Sequence, residues 1–282
     1  MNDSAVLRID CPDRKGLVAA VASLLYQYGA NITHADQHQD HEAGLFFMRV
    51  EWTLEGFDLV GFREAFQGVA AELRMQWRLD AMSEVPRVAI LVSQHLHCLA
   101  DILRRQQAGE IHCSIPLVMS NHRDAEPLAR FYGAEFRCIP IKREGKADAE
   151  REQLRLLAAH GIDLIVLARY MQILSAGFVK EYPLRIINVH HSFLPAFVGA
   201  RPYHAAFCRG VKLIGATSHY VTEALDGGPI IEQDVARISH RDQVEDLVQK
   251  GRDVERVVLS RAVKWHLEHR ILCYGNKTVV FD

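Results

Sequence analysis

A change of pattern at Ser83-Glu84-Val85-Pro86 constrains this chain more than any other feature. Before it, Ala5 to Cys11 alternates apolar and polar residues as a strand does, and a helix follows the turn Pro12-Asp13-Arg14-Lys15-Gly16 as far as Gln27. Asn31 to Asp40 and Leu45 to Thr53 read as a hairpin around His41-Glu42-Ala43-Gly44. Leu59 to Arg74 reads as a second helix with Asp58 as its cap, and Trp77 to Met82 as a fourth strand. Strand, helix, strand, strand, helix, strand is the ferredoxin-like order. After Pro86 strands and helices alternate. Arg87–Ser93, Ile115–Ser120, Glu135–Ile139 and Leu164–Ala168 are short strands separated by helical stretches, followed by Ile186–Val189 and a late pair at Leu213–Val221 and Pro229–Val235. Such alternation predicts a mostly parallel open sheet covered on both faces. Arg241 to His269 reads as a closing helix bent at Gly251. The expected fold class is therefore α/β, with an N-terminal ferredoxin-like α+β domain over 1–82 and an open-sheet domain over 87–282.

The length agrees, since 282 residues make about two domains of ordinary size. With 49% apolar and 24% charged residues, low-complexity and mostly disordered classes are excluded. A net charge of −2 gives no basic footprint for nucleic acid. No apolar run reaches the ~20 residues of a membrane span. Leu17 to Leu25, behind Arg14 and Lys15, superficially resembles a signal peptide. Asp3, Asp10 and Asp13 contradict that reading, and Leu17, Val21, Leu24, Leu25 and Tyr28 fall at helical spacing. The six cysteines form no Cys-x-x-Cys pair and are expected to be free thiols in a cytoplasmic protein.

No Gly-x-Gly-x-x-Gly, phosphate loop, His-Glu-x-x-His or Gly-x-Ser-x-Gly is present, so dinucleotide, metalloprotease and serine-hydrolase readings lack their motifs. His34, Asp36, His38 and Asp40, with His41 beside them, alternate along one strand, which predicts a solvated sheet face rather than a metal site. His95 and His97 follow the first strand of the large domain, on the rim where open sheets bind ligands.

The informative segment is Ile187-Asn188-Val189-His190-His191-Ser192-Phe193-Leu194-Pro195. Asn188 and His190 share one face of a strand, so an amide donor and an imidazole converge on one point. Leu225-Asp226-Gly227-Gly228-Pro229 sets an acid in a glycine-rich loop. Taken singly, a turn asparagine, a rim histidine and a turn aspartate explain these residues as well.

Together they resemble a family. Asn-x-His, Ser-x-Leu-Pro and Leu-Asp-x-Gly-Pro resemble the fold of formyltransferases that use 10-formyltetrahydrofolate. His190 to Phe197, Gly199-Ala200-Arg201-Pro202-Tyr203, Gly215 to Tyr220 and Tyr274-Gly275-Asn276 resemble the branch of that family that deformylates it. Cys11 to Gly16 is similar to the first turn of an ACT domain. The resemblance implies hydrolysis to formate and tetrahydrofolate, with Asn188, His190 and Asp226 catalytic. It implies a folate pocket at Tyr170, Met171, Gln172, Ile173 and Leu174, joined by His219 and Gly227. It implies no metal or other cofactor, a homo-oligomer, a role in one-carbon and purine metabolism, and an amino-acid effector near Asp13, Gly16, Asn31 and Ile32. The alternative is formyl transfer to an amine such as glycinamide ribonucleotide. Against it, Ser93-Gln94-His95-Leu96-His97-Cys98 contains no glycine where that transferase wraps a phosphate.

Overall fold

The computed structural model describes residues 3–141, 145–195 and 202–281. They divide into two compact units. The first holds the chain up to Val85 together with Glu268–Tyr274 and the end from Thr278, and the second holds Pro86–Leu267 with Gly275–Lys277.

In the first unit β1 (Ser4–Pro12), α1 (Leu17–Gln27), β2 (Asn31–Asp40), β3 (Leu45–Thr53), α2 (Leu59–Leu73) and β4 (Gln76–Ala81) follow the expected order. The strands form an antiparallel sheet, β2-β3-β1-β4. The two-residue period of β3 sends Phe46, Met48, Val50 and Trp52 to the helix side, against Leu17, Val21, Leu25, Phe62 and Phe66. Trp52 and Phe62 meet edge to face with ring centroids 5.5 Å apart. Asp58 caps α2 by accepting from the Gly61 amide at 3.0 Å.

The other face of β3 carries Leu45 and Phe47, and the chain end covers it. Phe47, Leu272 and Phe281 form a small buried cluster with Tyr274 against it. The cover is a hairpin, β12 (Ile271–Tyr274) and β13 (Lys277–Val280). Arg49 Nε donates to the His269 carbonyl at 3.1 Å, and the Tyr274 hydroxyl donates to Asp40 at 2.8 Å. The expected division therefore needs correction: most of the segment after Leu267 packs with the first unit, not with 87–267. A long-range packing partner of this kind leaves no local pattern. His34 and His38 are exposed on β2, in keeping with a solvated face.

The second unit contains a seven-stranded sheet, β11-β10-β9-β8-β5-β6-β7. Its strands are β5 (Arg87–Val92), β6 (Ser114–Ser120), β7 (Glu135–Cys138), β8 (Leu164–Ala168), β9 (Ile186–His190), β10 (Leu213–Tyr220) and β11 (Ile230–Arg237). The run from β7 to β9 is parallel, while β10 is antiparallel to both β9 and β11. β5 and β8 lie at the centre, and Val88–Val92 and Leu164–Ala168 are buried throughout, as continuous apolar runs demand. The helices are α3 (His97–Gln107), α4 (Glu126–Phe131), α5 (Lys146–Ala159), α6 (Ala176–Glu181), α7 (Pro202–Arg209) and α8 (Val244–Leu267). The sequence reading missed α6 and α7, although Ser175 caps the first by accepting from Phe178 N and Pro202 opens the second. It also ran the last helix too long. α8 ends at Leu267 and continues through Gly251 without interruption.

Candidate active site

The chain order reverses across β5 and β8, which makes their carboxyl ends the place where an open sheet binds ligands. A cavity of about 330 Å³ opens there. Its walls come from the segment after β8 (Arg169 to Leu174), from Asn188 to His191 on and after β9, from His219 on β10, and from Val221 to Asp226. Tyr170, Met171, Gln172, Ile173, Leu174 and His219 line the cavity, whereas Gly227 does not. Met171, Ile173 and Leu225 stay exposed and give the cavity an apolar rim.

Asn188, His190 and Asp226 meet in this cavity. His190 Nδ1 lies 3.2 Å from Asp226 Oδ2. A carboxylate only accepts, so Nδ1 carries the proton. His190 Nε2 is buried and has no partner among the described residues. Antiparallel register sets Asn188 opposite His219, with Asn188 Nδ2 3.2 Å from His219 Nε2. His219 Nδ1 donates to the Tyr220 carbonyl at 2.9 Å, which fixes that ring. His219 Nε2 is also 3.6 Å from Asp226 Oδ1. The hydrogen bond from His190, and after it the nearby imidazole of His219, hold the Asp226 carboxyl well below the usual carboxylate range, against the opposing effect of burial. Asp226 itself has a left-handed backbone, φ 52°, the kind of strain found at functional positions. The neighbouring glycines do not line the cavity. A Cβ at Gly228 would fall 1.8 Å from the Tyr220 carbonyl oxygen, so the glycine lets the loop close on β10.

Other contacts fix the walls. Gln153 on α5 donates to the Tyr170 hydroxyl at 2.6 Å, and Glu150 accepts from the Ser175 amide at 3.0 Å. Both ends of the segment after β8 are therefore pinned by one helix. Thr217 on β10 accepts from Leu194 N at 3.0 Å and donates to the Ser192 carbonyl at 2.9 Å, which fixes the Ser-x-Leu-Pro turn. Residues 196–201, which carry part of the quoted motifs, lie outside the described residues.

The sequence reading missed Arg169 and His191. His191 stacks on His190 at 5.1 Å and is pushed down to about 4 by burial, then by the Arg169 and His190 charges, so it stays neutral. Its position beside His190 was visible, but its burial was not. His95 and His97 do not line the cavity; His97 instead bonds Glu255 at 2.8 Å. Among the described residues, His97, Cys98 and Glu255 are near enough together to share a metal ion. They fit one poorly, because the Arg169 guanidinium lies 3.5 Å from the same carboxylate and burial raises the Cys98 thiol well above its ordinary value.

Residues 86–263 match the formyl transferase family model and residues 5–58 the ACT domain model. A formyltetrahydrofolate deformylase of Synechocystis sp. is 54% identical over 282 residues, 99% of each chain. This chain belongs to the formyltetrahydrofolate deformylase family. A crystal structure of a deformylase from Pseudomonas syringae pv. tomato covers 100% of this chain and 95% of its own, with a TM-score of 0.97 and 49% identity. A glycinamide ribonucleotide transformylase from Symbiobacterium toebii covers only 73% of this chain, with a TM-score of 0.67 and 30% identity. The deformylase match thus includes the ACT unit, whereas the transformylase match leaves over a quarter of the chain unmatched. No helix of the described residues is long and apolar enough to cross a membrane.

Proposed function

We propose that Asn188, His190 and Asp226 carry the hydrolysis of 10-formyltetrahydrofolate to formate and tetrahydrofolate. The observation that carries this reading is the oriented pair: Asp226 fixes His190 Nδ1, and Nε2 is left without a protein partner in a cavity that Asn188 also lines. Water attacks the formyl carbon and charge collects on the formyl oxygen. The Asn188 amide donates to that oxygen. Asp226, kept ionised, draws the proton from the attacking water. His190, acting as the imidazolium with a proton on each ring nitrogen, delivers the one on Nε2 to N10 as the carbon–nitrogen bond breaks. The residues of this chain supply every proton-transfer group in the scheme. The apolar rim at Met171, Ile173 and Leu225 suits a flat heterocycle. A cytoplasmic setting agrees with cysteines that are all free.

Formate release tests the reading. Purified protein given 10-formyltetrahydrofolate and no acceptor should release one formate per tetrahydrofolate formed. Glycinamide ribonucleotide should neither speed nor divert the reaction. A stoichiometric formylated ribotide would overturn hydrolysis in favour of transfer.

A second site belongs to the ACT unit. Asp13 and Gly16 line an open pocket of about 550 Å³ with Arg14, Gln37 and Phe46. Asn31 and Ile32 do not line it. They follow the far end of the 11-residue α1, and at 1.5 Å per residue that end is ~16 Å away. A small amino acid held at Asp13 and the first turn of α1 is the effector reading that fits. The outer strand β2, exposed along most of its length, is where a second subunit would pair. Glycine or methionine at millimolar concentration should change the deformylation rate by ~5–150-fold. Asp13→Ala should abolish that response and leave the basal rate intact. A screen of all standard amino acids with no binding and no rate change would leave assembly as the unit's only role.

A further inference from the structure

Tyr203 on α7 is held at two points, both far from α7 in sequence. Its ring enters a gap in α8 that only glycine provides: a Cβ at Gly251 would fall 2.2 Å from the ring Cζ and from the hydroxyl oxygen. Any side chain at 251 excludes the ring. One turn further along α8, the Tyr203 hydroxyl donates to Glu255 Oε1 at 2.6 Å. Glu255 is 1% exposed. Its other oxygen lies 2.8 Å from His97 Nε2 and 3.5 Å from Arg169 Nε. Burial resists the charge on Glu255, but His97, Arg169 and Tyr203 together outweigh it and keep the carboxyl ionised.

The other side of the Tyr203 ring faces the active site. Its centroid is 6.3 Å from that of His191, and His191 stacks on His190 at 5.1 Å with an interplanar angle of 26°. A continuous run of packed rings therefore leads from the gap in α8 to the imidazole that Asp226 orients. Tyr203 does not line the substrate cavity. Ring packing transmits position because interiors are close-packed and a displaced ring must displace its neighbour.

We propose that Tyr203 is a positioning residue for His190, acting through His191, and that Gly251 and Glu255 serve to hold its ring in place. The inference rests on the role given to His190 above. It assigns Gly251 a reason that helix propensity cannot supply, since glycine inside a helix is less favourable than alanine.

The test is steady-state formate release by the full-length protein, with folding checked by circular dichroism and gel filtration. Gly251→Ala should lower kcat ~10–100-fold, the scale of a displacement of about 1 Å at the reacting centre. KM for 10-formyltetrahydrofolate should stay within about twofold of the wild type, because the folate walls are untouched. Tyr203→Phe keeps the ring and loses the bond to Glu255, and should show a smaller fall in kcat with the same unchanged KM. The decisive comparison is a cycle. Once Tyr203→Ala is in place, adding Gly251→Ala should cost no further kcat, because there is no ring left to exclude. A purely structural role would lower the melting temperature and leave kcat per folded molecule unchanged. Folded Gly251→Ala with wild-type kcat, or losses that multiply in the double variant, would overturn the proposal. Should Gly251→Ala fail to fold, wild-type kcat in Tyr203→Phe does the same. His190→Ala is run alongside. Near wild-type turnover there overturns the assignment of His190 itself, whereas an inactive His190→Ala beside fully active Gly251→Ala and Tyr203→Phe overturns this inference alone.

Discussion

His190→Ala and Asp226→Ala should each lower the turnover of 10-formyltetrahydrofolate by ~10²–10³-fold or more while the protein remains folded. The two losses have different origins. Without His190 the departing N10 loses the proton donor that the proposed scheme assigns to it. Without Asp226 the proton of His190 Nδ1 loses the acceptor now 3.2 Å away, and the ring loses its orientation. Asp226→Asn keeps the size of the side chain but cannot accept the proton of the attacking water, and should be nearly as slow. Because the two residues act as a unit, the double alanine variant should be little worse than either single one. Rapid formate release by any of the single variants would sink the assignment.

A second large effect should appear in acid. His191 and His269 are both pushed down to about 4, in each case chiefly by burial. For His269, Arg8, Arg49 and Arg78 press the same way while Asp80 opposes them. Arg8 donates to His269 Nδ1 at 3.2 Å, a bond that requires the neutral ring. In the unfolded chain these histidines take up protons near pH 6.5, so between that value and about 4 the unfolded state binds more protons than the native one. Stability is therefore full above about 6.5 and is lost as the pH falls through the window, by roughly 3 kcal/mol per histidine. Asp226 and Glu255 are held below their ordinary values, so their contributions are present above about 4 and are lost only at lower pH. Melting temperatures measured from pH 7 to pH 4.5 should fall by about 2–4 °C for each kcal/mol. His269→Asn, which accepts the left-handed backbone at φ 52°, should reduce the slope. A flat profile in the wild type would show that neither ring resists its proton.

The proposed catalytic set could be picked out in the sequence because its parts obey local rules. Two-residue spacing put Asn188 and His190 on one face, and a loop-bound acid followed downstream. The core strands were legible from apolar runs such as Val88 to Val92. The missed features depend on residues distant in sequence. Tyr203 and Glu255 meet across α7 and α8, and neither has a neighbour in sequence that announces the other. The reading of Gly251 as a bend took a packing gap for a backbone defect. β3 gave a clue that went unused: Leu45-Phe46-Phe47-Met48 is apolar on both faces, the mark of a strand covered twice. That cover is the hairpin of β12 and β13, which begins two residues past the end of the extended helix reading and was assigned no structure in it.

The hairpin has a consequence for synthesis on the ribosome. The helix side of β3 can be buried as soon as α2 has emerged. Phe47 must wait for Leu272 and Phe281, which follow it by more than 220 residues. At roughly 5–20 residues per second, some tens of seconds separate the two events. Throughout that interval a nascent ACT unit presents an apolar stripe on a finished sheet, a surface that invites chaperone capture or pairing with a neighbouring nascent chain.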